Sequence, residues 1–370
     1  GIACASRAEV LGELSRWRRT VAVAGTHGKT TSAAMLAAVL RRAGLQPDIL
    51  VGGWVDGRAH AETGCGEWLV LEADEYARSF LELHPDVALV TCVEADHLDC
   101  YGTLSEVHSA FIDFLDRLPF YGVAFVGGDD LVALDILRST RRASRTYGVG
   151  VDCDYRIIDV QLRPWESRFA LLCDGEQQID LALRVPGMHN VRNAAGAAAA
   201  AHYLGVDGAC IAASLVDFES VERRFQFVGE AGEIWVIDDY AHHPRAVGVA
   251  LDAARVSGRR VVAVFQPHLY SRTRDFAEEF ARELSVADHV VLTDVYPARE
   301  RPIPGVNSHL IADAMRRAGC DHIDHVADVA DIVPHLLRIC RPGDVVLTMG
   351  AGNIGEMAGP LVAELGGGAS

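Results

Sequence analysis

Short apolar runs alternate along the chain with amphipathic stretches, a pattern typical of an α/β protein with a mainly parallel sheet. Apolar runs at residues 21–24, 68–71 and 87–90 predict buried strands. A helix is predicted over residues 32–43, and another over 103–118, where a Thr-x-x-Glu capping box precedes apolar residues that share one face. The first part of the chain therefore alternates strand and helix.

The pattern changes after residue 153. Residues 154–185 predict three successive strands separated by polar breaks, which indicates a small antiparallel meander attached to the first domain. An Ala-rich helix over 189–204 follows. A second α/β series then begins near Arg223, and we predict domains at residues 1–222 and 223–370. The strands of this second series are predicted at residues 234–237, 261–265, 290–292 and 345–347.

Composition narrows the function class. The net charge of −17 argues against nucleic-acid binding, which requires a basic surface. No apolar run approaches the roughly 20 residues of a membrane span, and no secretory signal opens the chain, so a cytoplasmic location is expected. Nine cysteines without a C-x-x-C pair favour reduced thiols over a zinc site. The chain begins at Gly1 without an initiator Met, so a preceding segment is expected.

Lys29 is the single lysine of the sequence; every other basic side chain is an arginine. An ammonium group on a flexible stem differs chemically from the planar guanidinium of arginine. In a chain whose other basic residues are all arginines, a position that keeps lysine requires a compact ammonium group that arginine cannot provide. Lys29 is therefore a functional candidate before any motif is considered.

The segment around Lys29 has the form of a phosphate-binding loop. The predicted strand 21–24 runs into a glycine-containing bend and then into the helix, so that backbone N–H groups and the helix N-terminus would face an anion. Lys29 would reach the β- and γ-phosphates of ATP, and the Thr30 hydroxyl would ligate Mg²⁺. Val23 stands where the standard motif has its first glycine, so this is a shorter variant of the motif. The bend consists of Gly25, Thr26, His27, Gly28, Lys29, Thr30 and Thr31.

Polar residues follow the next two strands at their carboxyl ends, where open α/β sheets place their sites. Glu72 directly follows strand 68–71 and is the favoured second Mg²⁺ anchor, with a solvated acidic turn as the alternative. His97 follows strand 87–90 and is a candidate ligand of a second metal, with a structural histidine as the alternative. These features predict a phosphate-loop ATPase domain followed by a Rossmann-like α/β C-terminal domain.

The sequence resembles the Mur ligase family, the ATP-dependent amino-acid ligases of peptidoglycan synthesis, over essentially its whole length. Two segments, Asp-Asp-Tyr-Ala-His-His-Pro at 238–244 and Phe-Gln-Pro-His at 265–268, look most like the family branch that adds L-alanine to UDP-N-acetylmuramate. The other matching segments are Pro186–Asn193, Arg223–Phe225, Ser271–Arg274 and Gly350–Gly355.

The resemblance implies roles for individual residues. Asn190 would contact adenine, while Arg224 and Asp239 would hold phosphate and ribose. Catalysis would use Lys29, His97 and His242, with His242 as the base for the alanine amine. The residues implied to face the amino acid and the muramoyl carboxylate are Tyr240, His242, Arg272 and Arg274. The implied cofactors are ATP and Mg²⁺, the implied substrates are L-alanine and UDP-N-acetylmuramate, and a monomer or weak homodimer is expected.

Four alternatives remain at the level of sequence. The family has an additional N-terminal UDP-binding domain that this chain is expected to lack, so a non-catalytic ATP-binding module is one rival. A second rival is a sister ligase that recycles muramoyl tripeptide, which shares the Glu-Ala-Asp-Glu-Tyr sequence of residues 72–76. Folylpolyglutamate synthetase is a relative by fold, disfavoured by residues 238–244. The Gly350–Gly355 run also fits a dinucleotide fingerprint, although too few residues follow it for the rest of that unit.

Overall fold

The computed structural model describes residues 4–53, 61–94 and 98–367. The chain forms two compact units, Gly1–Glu222 and Arg223–Ser370. No helix among the described residues is long and apolar enough to cross a membrane. Each unit is built around its own sheet, with helices packed against it.

The sheet of the first unit has the order β10-β9-β8-β7-β6-β5-β1-β4-β2-β3. Its central strands β2, β4, β1, β5, β6 and β7 are parallel. At one end β8, β9 and β10 form an antiparallel meander, and β7 pairs with β8 in parallel, so the meander continues the sheet. The strands are β1 Arg19–Ala24, β2 Asp48–Leu50, β3 Ala61–Glu62, β4 Trp68–Glu72, β5 Val87–Val90, β6 Val123–Gly127, β7 Ala143–Gly148, β8 Tyr155–Arg163, β9 Glu166–Cys173 and β10 Gln177–Leu183.

Helices cover both faces of this sheet. One face packs against α2, α7 and α6, and the buried positions of α6 are largely alanine. The other face packs against the aromatic-rich α4 together with α5. A 3₁₀ helix, Tyr76–Glu82, packs with α4. The helices are α1 Arg7–Trp17, α2 Lys29–Arg42, α3 Leu98–Tyr101, α4 Leu104–Asp116, α5 Leu131–Ser139, α6 Met188–Tyr203 and α7 Gly208–Val216.

The start of α4 shows how the sequence signal translates into structure. The Thr103 side chain accepts a hydrogen bond from the Glu106 backbone N–H at 3.3 Å, as an N-cap does. The Glu106 carboxylate instead lies 3.5 Å from Arg78 Nη2. One half of the predicted capping box is therefore formed, and the other half is replaced by an exposed ion pair.

The second unit has a six-stranded sheet among its described residues, in the order β11-β12-β16-β13-β14-β15, parallel except for the edge strand β11. The strands are β11 Gln226–Ala231, β12 Ile234–Asp239, β13 Val261–Phe265, β14 His289–Leu292, β15 Ile323–His325 and β16 Val345–Met349. The helices are α8 Pro244–Arg255, α9 Tyr270–Asp275, α10 Ala277–Leu284, α11 His309–Arg317, α12 Ile332–Ile339 and α13 Ala358–Gly367, with 3₁₀ turns at Val329–Asp331 and Asn353–Met357.

The predicted fold class is confirmed: a large, mainly parallel sheet with an antiparallel meander is followed by a second α/β sheet. One boundary differs in a way that matters for the site. Helix α2 begins at Lys29 and not at the predicted residue 32, because Gly28 adopts a left-handed conformation and serves as the N-cap. Lys29, Thr30 and Thr31 therefore lie in the first helical turn.

Candidate active site

The bend between β1 and α2 depends on two glycines. Gly28 has φ of 81°, and a Cβ there would lie 2.3 Å from Asn193 Oδ1. Gly25 has φ of 129°, and a Cβ there would lie 2.0 Å from Thr91 Oγ1. Neither position can carry a side chain without displacing its neighbour. Among the described residues no side chain caps α2, so its first N–H groups are available to an anion such as phosphate.

The segment after β5 holds this bend in place. The Thr26 N–H donates to the Cys92 carbonyl at 2.8 Å, and the Thr91 hydroxyl donates to the His27 carbonyl at 2.5 Å. The Glu94 N–H donates in turn to Thr26 Oγ1 at 2.9 Å. The phosphate-binding bend is therefore fixed by hydrogen bonds to a neighbouring strand end as well as by its own sequence. Sequence reasoning did not assign Thr91 a role.

Lys29 lies within the bend and forms a buried ion pair. Its Nζ donates to the Gly25 carbonyl at 2.7 Å and to Glu75 Oε2 at 2.7 Å. Only 2% of the Glu75 surface is exposed. Burial disfavours the charged ammonium, but the adjacent Glu75 carboxylate outweighs it and raises the pKa of Lys29. The ammonium therefore stays charged at neutral pH, at the mouth of the predicted phosphate site.

Glu75 is the partner that sequence reasoning missed. It belongs to the acidic run Glu72–Glu75, from which only Glu72 was selected as a site residue. Its backbone carbonyl also accepts a hydrogen bond from the buried Tyr101 hydroxyl at 2.5 Å. The short acidic run Glu72–Glu75 has no periodic pattern that would distinguish buried from exposed positions. The sequence therefore did not indicate which of its carboxylates is buried.

Thr30 and Glu72 meet at the carboxyl ends of β1 and β4. Parallel pairing places Val23 beside Glu72, and the Thr30 hydroxyl donates to Glu72 Oε1 at 2.9 Å. The Gly52 N–H donates to Glu72 Oε2 at 2.5 Å. A hydroxyl and a carboxylate are the hard oxygen donors that Mg²⁺ prefers, so these two residues fit the predicted ion. His97, the other predicted metal ligand, lies outside the described residues.

Helix α6 brings two asparagines to the same end of the sheet. Asn193 is buried and accepts a hydrogen bond from Ser32 Oγ at 3.3 Å, beside Gly28. Asn190 lies one turn earlier, is also buried, and donates through Nδ2 to the Pro186 carbonyl at 2.8 Å. Asn190 remains the predicted adenine contact, and Asn193 supports the phosphate bend directly.

In the second unit, Asp239 ends β12 beside the predicted phosphate and ribose residue Arg224. The Asp239 carboxylate accepts hydrogen bonds from the Phe225 and Ala241 N–H groups, both at 2.7 Å. Burial nevertheless raises the pKa of Asp239 to about 6, with Arg224 acting in the opposite direction. The Arg224 guanidinium lies 5.4 Å from the centroid of the Tyr240 ring. These predicted residues are therefore close together.

The neighbouring Arg223 has a structural role. Its Nε donates to Asp238 Oδ2 at 2.9 Å, and its Nη2 donates to the Gly350 carbonyl at 2.7 Å. Gln266 supports the same turn through a 2.9 Å hydrogen bond to Asn353 Oδ1. A Cβ at Gly352 would lie 2.2 Å from Gln266 Oε1. The Gly350–Gly355 run is thus a strand-to-helix turn filled by protein side chains.

His242 lies in a cluster of aromatic and cationic groups. Its ring centroid lies 5.2 Å from that of Tyr240 and 5.8 Å from that of His268. Its Nδ1 lies 2.8 Å from the Tyr240 carbonyl oxygen, which selects the tautomer that carries the proton on Nδ1. Burial, and then the charge of Arg272, lower the pKa of His242 to about 3. The imidazole is therefore neutral at physiological pH and is a weak base.

His268 joins this cluster although sequence reasoning gave it no role. Its Nδ1 lies 3.5 Å from Arg272 Nη1, and its ring stacks on Tyr296 at 5.8 Å. Burial and Arg272 lower the pKa of His268 to about 4. The signal was present in the Phe-Gln-Pro-His segment, whose last residue is His268.

The two predicted arginines of α9 differ. Arg272 faces His268 and the cluster. Arg274 is exposed and pairs with the adjacent Asp275, with Nε 2.6 Å from Oδ1. Within the second unit the structure therefore groups Arg272, but not Arg274, with Tyr240 and His242.

Two family models match the chain: the Mur ligase middle domain over residues 23–201, and the Mur ligase glutamate ligase domain over residues 223–352. A UDP-N-acetylmuramate–L-alanine ligase of Syntrophotalea carbinolica is 42% identical over 96% of this chain and 78% of its own length. The chain belongs to the Mur ligase family.

Solved structures agree with this Mur ligase assignment. A UDP-N-acetylmuramate–alanine ligase from Thermotoga maritima superposes with a TM-score of 0.80 at 29% identity, covering 96% of this chain and 77% of that one. A murein peptide ligase from Psychrobacter arcticus gives a TM-score of 0.70 at 25% identity, covering 97% and 80%. Both similarities extend across both units of this Mur ligase.

Proposed function

We propose that this Mur ligase joins L-alanine to the muramoyl carboxylate of UDP-N-acetylmuramate with the hydrolysis of ATP to ADP and phosphate. The observation that carries the reaction class is the single lysine, which lies in a glycine-dependent bend beside Thr30 and Glu72. The substrates are supported by the 42% identity to a ligase of that name over 96% of the chain.

A carboxylate is a poor electrophile, so the reaction must begin by activating it. An oxygen of the muramoyl carboxylate attacks the γ-phosphate of ATP, forming an acyl phosphate and releasing ADP. Charge neutralisation and positioning dominate such a transfer. Lys29, already protonated, would turn from Glu75 toward the β- and γ-phosphates, while the first N–H groups of α2 hold their oxygens. Thr30 and Glu72 would hold Mg²⁺, which supplies positive charge to the phosphate oxygens.

The neutral alanine amine then attacks the acyl carbon, the C–O bond to phosphate breaks with both electrons leaving on phosphate, and the amine proton passes to the departing phosphate. Arg272 is suited to bind the alanine carboxylate. Burial lowers the pKa of His242 to about 3, so the Nε2 lone pair is available as a hydrogen-bond acceptor that orients the neutral amine. The role of His242 as the base for the alanine amine stays a prediction.

The test is a product assay on the purified protein. With ATP, Mg²⁺, L-alanine and UDP-N-acetylmuramate, we expect one phosphate released for each amide formed, with the product identified by mass spectrometry. Phosphate release that requires muramoyl tripeptide in place of L-alanine would favour the recycling ligase. ATP binding without amide formation on either substrate would favour the non-catalytic module. A cytoplasmic location and a monomer or weak homodimer stay predictions.

A further inference from the structure

A group of side chains able to ligate a metal lies between the edge of the sheet and a helix of the second unit and takes no part in the proposed reaction. It comprises His289, Asp324 and His335, here called the edge triad. Asp324 Oδ2 lies 2.9 Å from His289 Nε2 and 2.9 Å from His335 Nε2. The three ligand atoms lie within 4.8 Å of one another. Two imidazoles and a carboxylate thus converge on one point.

The fold, and not the sequence spacing, assembles the edge triad. His289 is the first residue of β14, Asp324 is the middle residue of the edge strand β15, and His335 lies on α12. Parallel pairing of β14 with β15 places Val291 beside Asp324. The side chains of the two histidines and the aspartate are 18%, 17% and 38% exposed, so a small ion can reach them from solvent.

We propose that the edge triad is a binding site for a divalent transition metal of the Zn²⁺ class. Imidazole nitrogen with one carboxylate favours such an ion over Mg²⁺, which prefers oxygen ligands. Tetrahedral bonds of about 2.0–2.1 Å would separate ligand atoms by roughly 3.3 Å, so each nitrogen must move only a few tenths of an ångström from Asp324. Three protein ligands leave a fourth position for water. The bound ion would tie the edge strand β15 to β14 and α12.

Arg338 competes with a metal ion for His335. Its Nη2 lies 3.3 Å from His335 Nδ1 and donates to it, which places the imidazole proton on Nε2, the atom that would ligate the metal. Ligation requires that this proton move to Nδ1 and that Arg338 swing away. Arg338 is exposed and free to do so sterically. Removing its guanidinium should therefore tighten metal binding, which a purely structural hydrogen-bond network would not do.

The experiment is a Zn²⁺ titration of chelator-treated protein by calorimetry, in excess Mg²⁺ so that the oxygen-ligand site is filled. We expect one Zn²⁺ site that H289Q and H335Q each weaken about 100-fold or more. R338Q should tighten the same site several-fold. H325Q is the matched control, because His325 also lies on β15 but pairs with Asp294 and Ser308.

Co²⁺ provides an independent readout, since tetrahedral nitrogen and oxygen ligation gives visible absorption bands that the H289Q and H335Q variants should lose. Circular dichroism establishes that each variant is folded, and R338Q tests the site even if a triad variant is not. Equal Zn²⁺ binding by the wild type, H289Q and H335Q would overturn the proposal. So would a loss as large in H325Q as in the triad variants, because the ion would then sit near His309 and His325, whose rings are 4.4 Å apart.

Discussion

The candidate sites of the two units are built in different ways. In the first unit the phosphate site is one contiguous stretch, Gly25–Thr31, organised around a charged lysine. In the second unit the cluster around His242 gathers residues from three strand ends, and its histidines are held neutral. A site that binds polyphosphate needs permanent positive charge, whereas a site for an amine nucleophile benefits from a neutral acceptor. Charge state, more than residue type, distinguishes the two.

The largest expected effect comes from Lys29. K29R keeps the positive charge but replaces the compact ammonium by a planar fork, so we expect kcat/KM to fall on the order of 10²–10³-fold. Steady-state phosphate release measures this. R42K exchanges the same two residue types at the exposed end of α2. It is the control and should leave kcat/KM unchanged. Near-normal rates for K29R would remove the argument for the phosphate site.

Stability separates the structural role of Lys29 from its chemical role. K29M removes the ammonium that neutralises the buried Glu75 carboxylate and should destabilise the fold by about 3–5 kcal/mol in urea denaturation. The double change K29M/E75Q should recover much of that stability and none of the activity. Recovery of activity by the double variant would contradict a direct role of the ammonium.

A further prediction compares two glycines that flank α2, Gly28 before it and Gly44 after it. Gly28 and Gly44 have nearly the same φ, 81° and 77°, but a Cβ at Gly44 meets nothing within 4 Å. Both G28A and G44A should lose about 1–2 kcal/mol of stability from left-handed backbone strain. Only G28A should also weaken ATP binding, by at least about tenfold, because it displaces Asn193. Equal ATP affinity of the two variants, measured by calorimetry, would show that the bend does not hold the nucleotide.

The third prediction sharpens the contrast within the second unit. R272K should raise KM for L-alanine about tenfold, because bidentate carboxylate recognition is lost. R274K should change it by about twofold or less, since Arg274 is exposed and paired with Asp275. Phosphate release at varied L-alanine concentrations measures both. Equal effects would restore Arg274 to the substrate site that sequence analysis proposed.

The smallest effect concerns the pH dependence of stability. The pKa of His242 is lowered from 6.5 to about 3, so the unfolded chain binds more protons and stability is lost as pH falls through 6.5 toward 3. The pKa of Asp239 is raised from 3.8 to about 6, so its contribution is lost as pH rises from 3.8 to 6. H242Q and D239N should therefore shift the slope of unfolding free energy against pH in opposite directions, each by at most about 1.4 kcal/mol per pH unit. Urea denaturation between pH 4.5 and 6 measures these slopes. If H242Q and D239N shifted the slope in the same direction, the burial assigned to His242 and Asp239 would be contradicted.

Much of the architecture followed from local patterns. Residues 87–90 and 261–265 became strands with the predicted bounds, because uninterrupted apolar, valine-rich runs of that length suit a sheet covered on both faces. The three strands of the meander were also predicted, from their polar breaks. The start of α2 was misplaced by three residues because helix propensity does not register the capping geometry of Gly28.

The sequence by itself indicated the phosphate bend, because its glycines, Lys29 and Thr30 form one contiguous segment between a predicted strand and a predicted helix, although hydrogen bonds to the segment after β5 also hold it. It also carried the family resemblance, which rests on short contiguous segments. Only the tertiary structure decided that Glu75 turns inward to Lys29, that His242 is neutral, that Arg272 and Arg274 diverge, and that the edge triad converges. Those outcomes depend on burial and on which strand ends become neighbours. Local hydrophobic periodicity does not determine such long-range pairings.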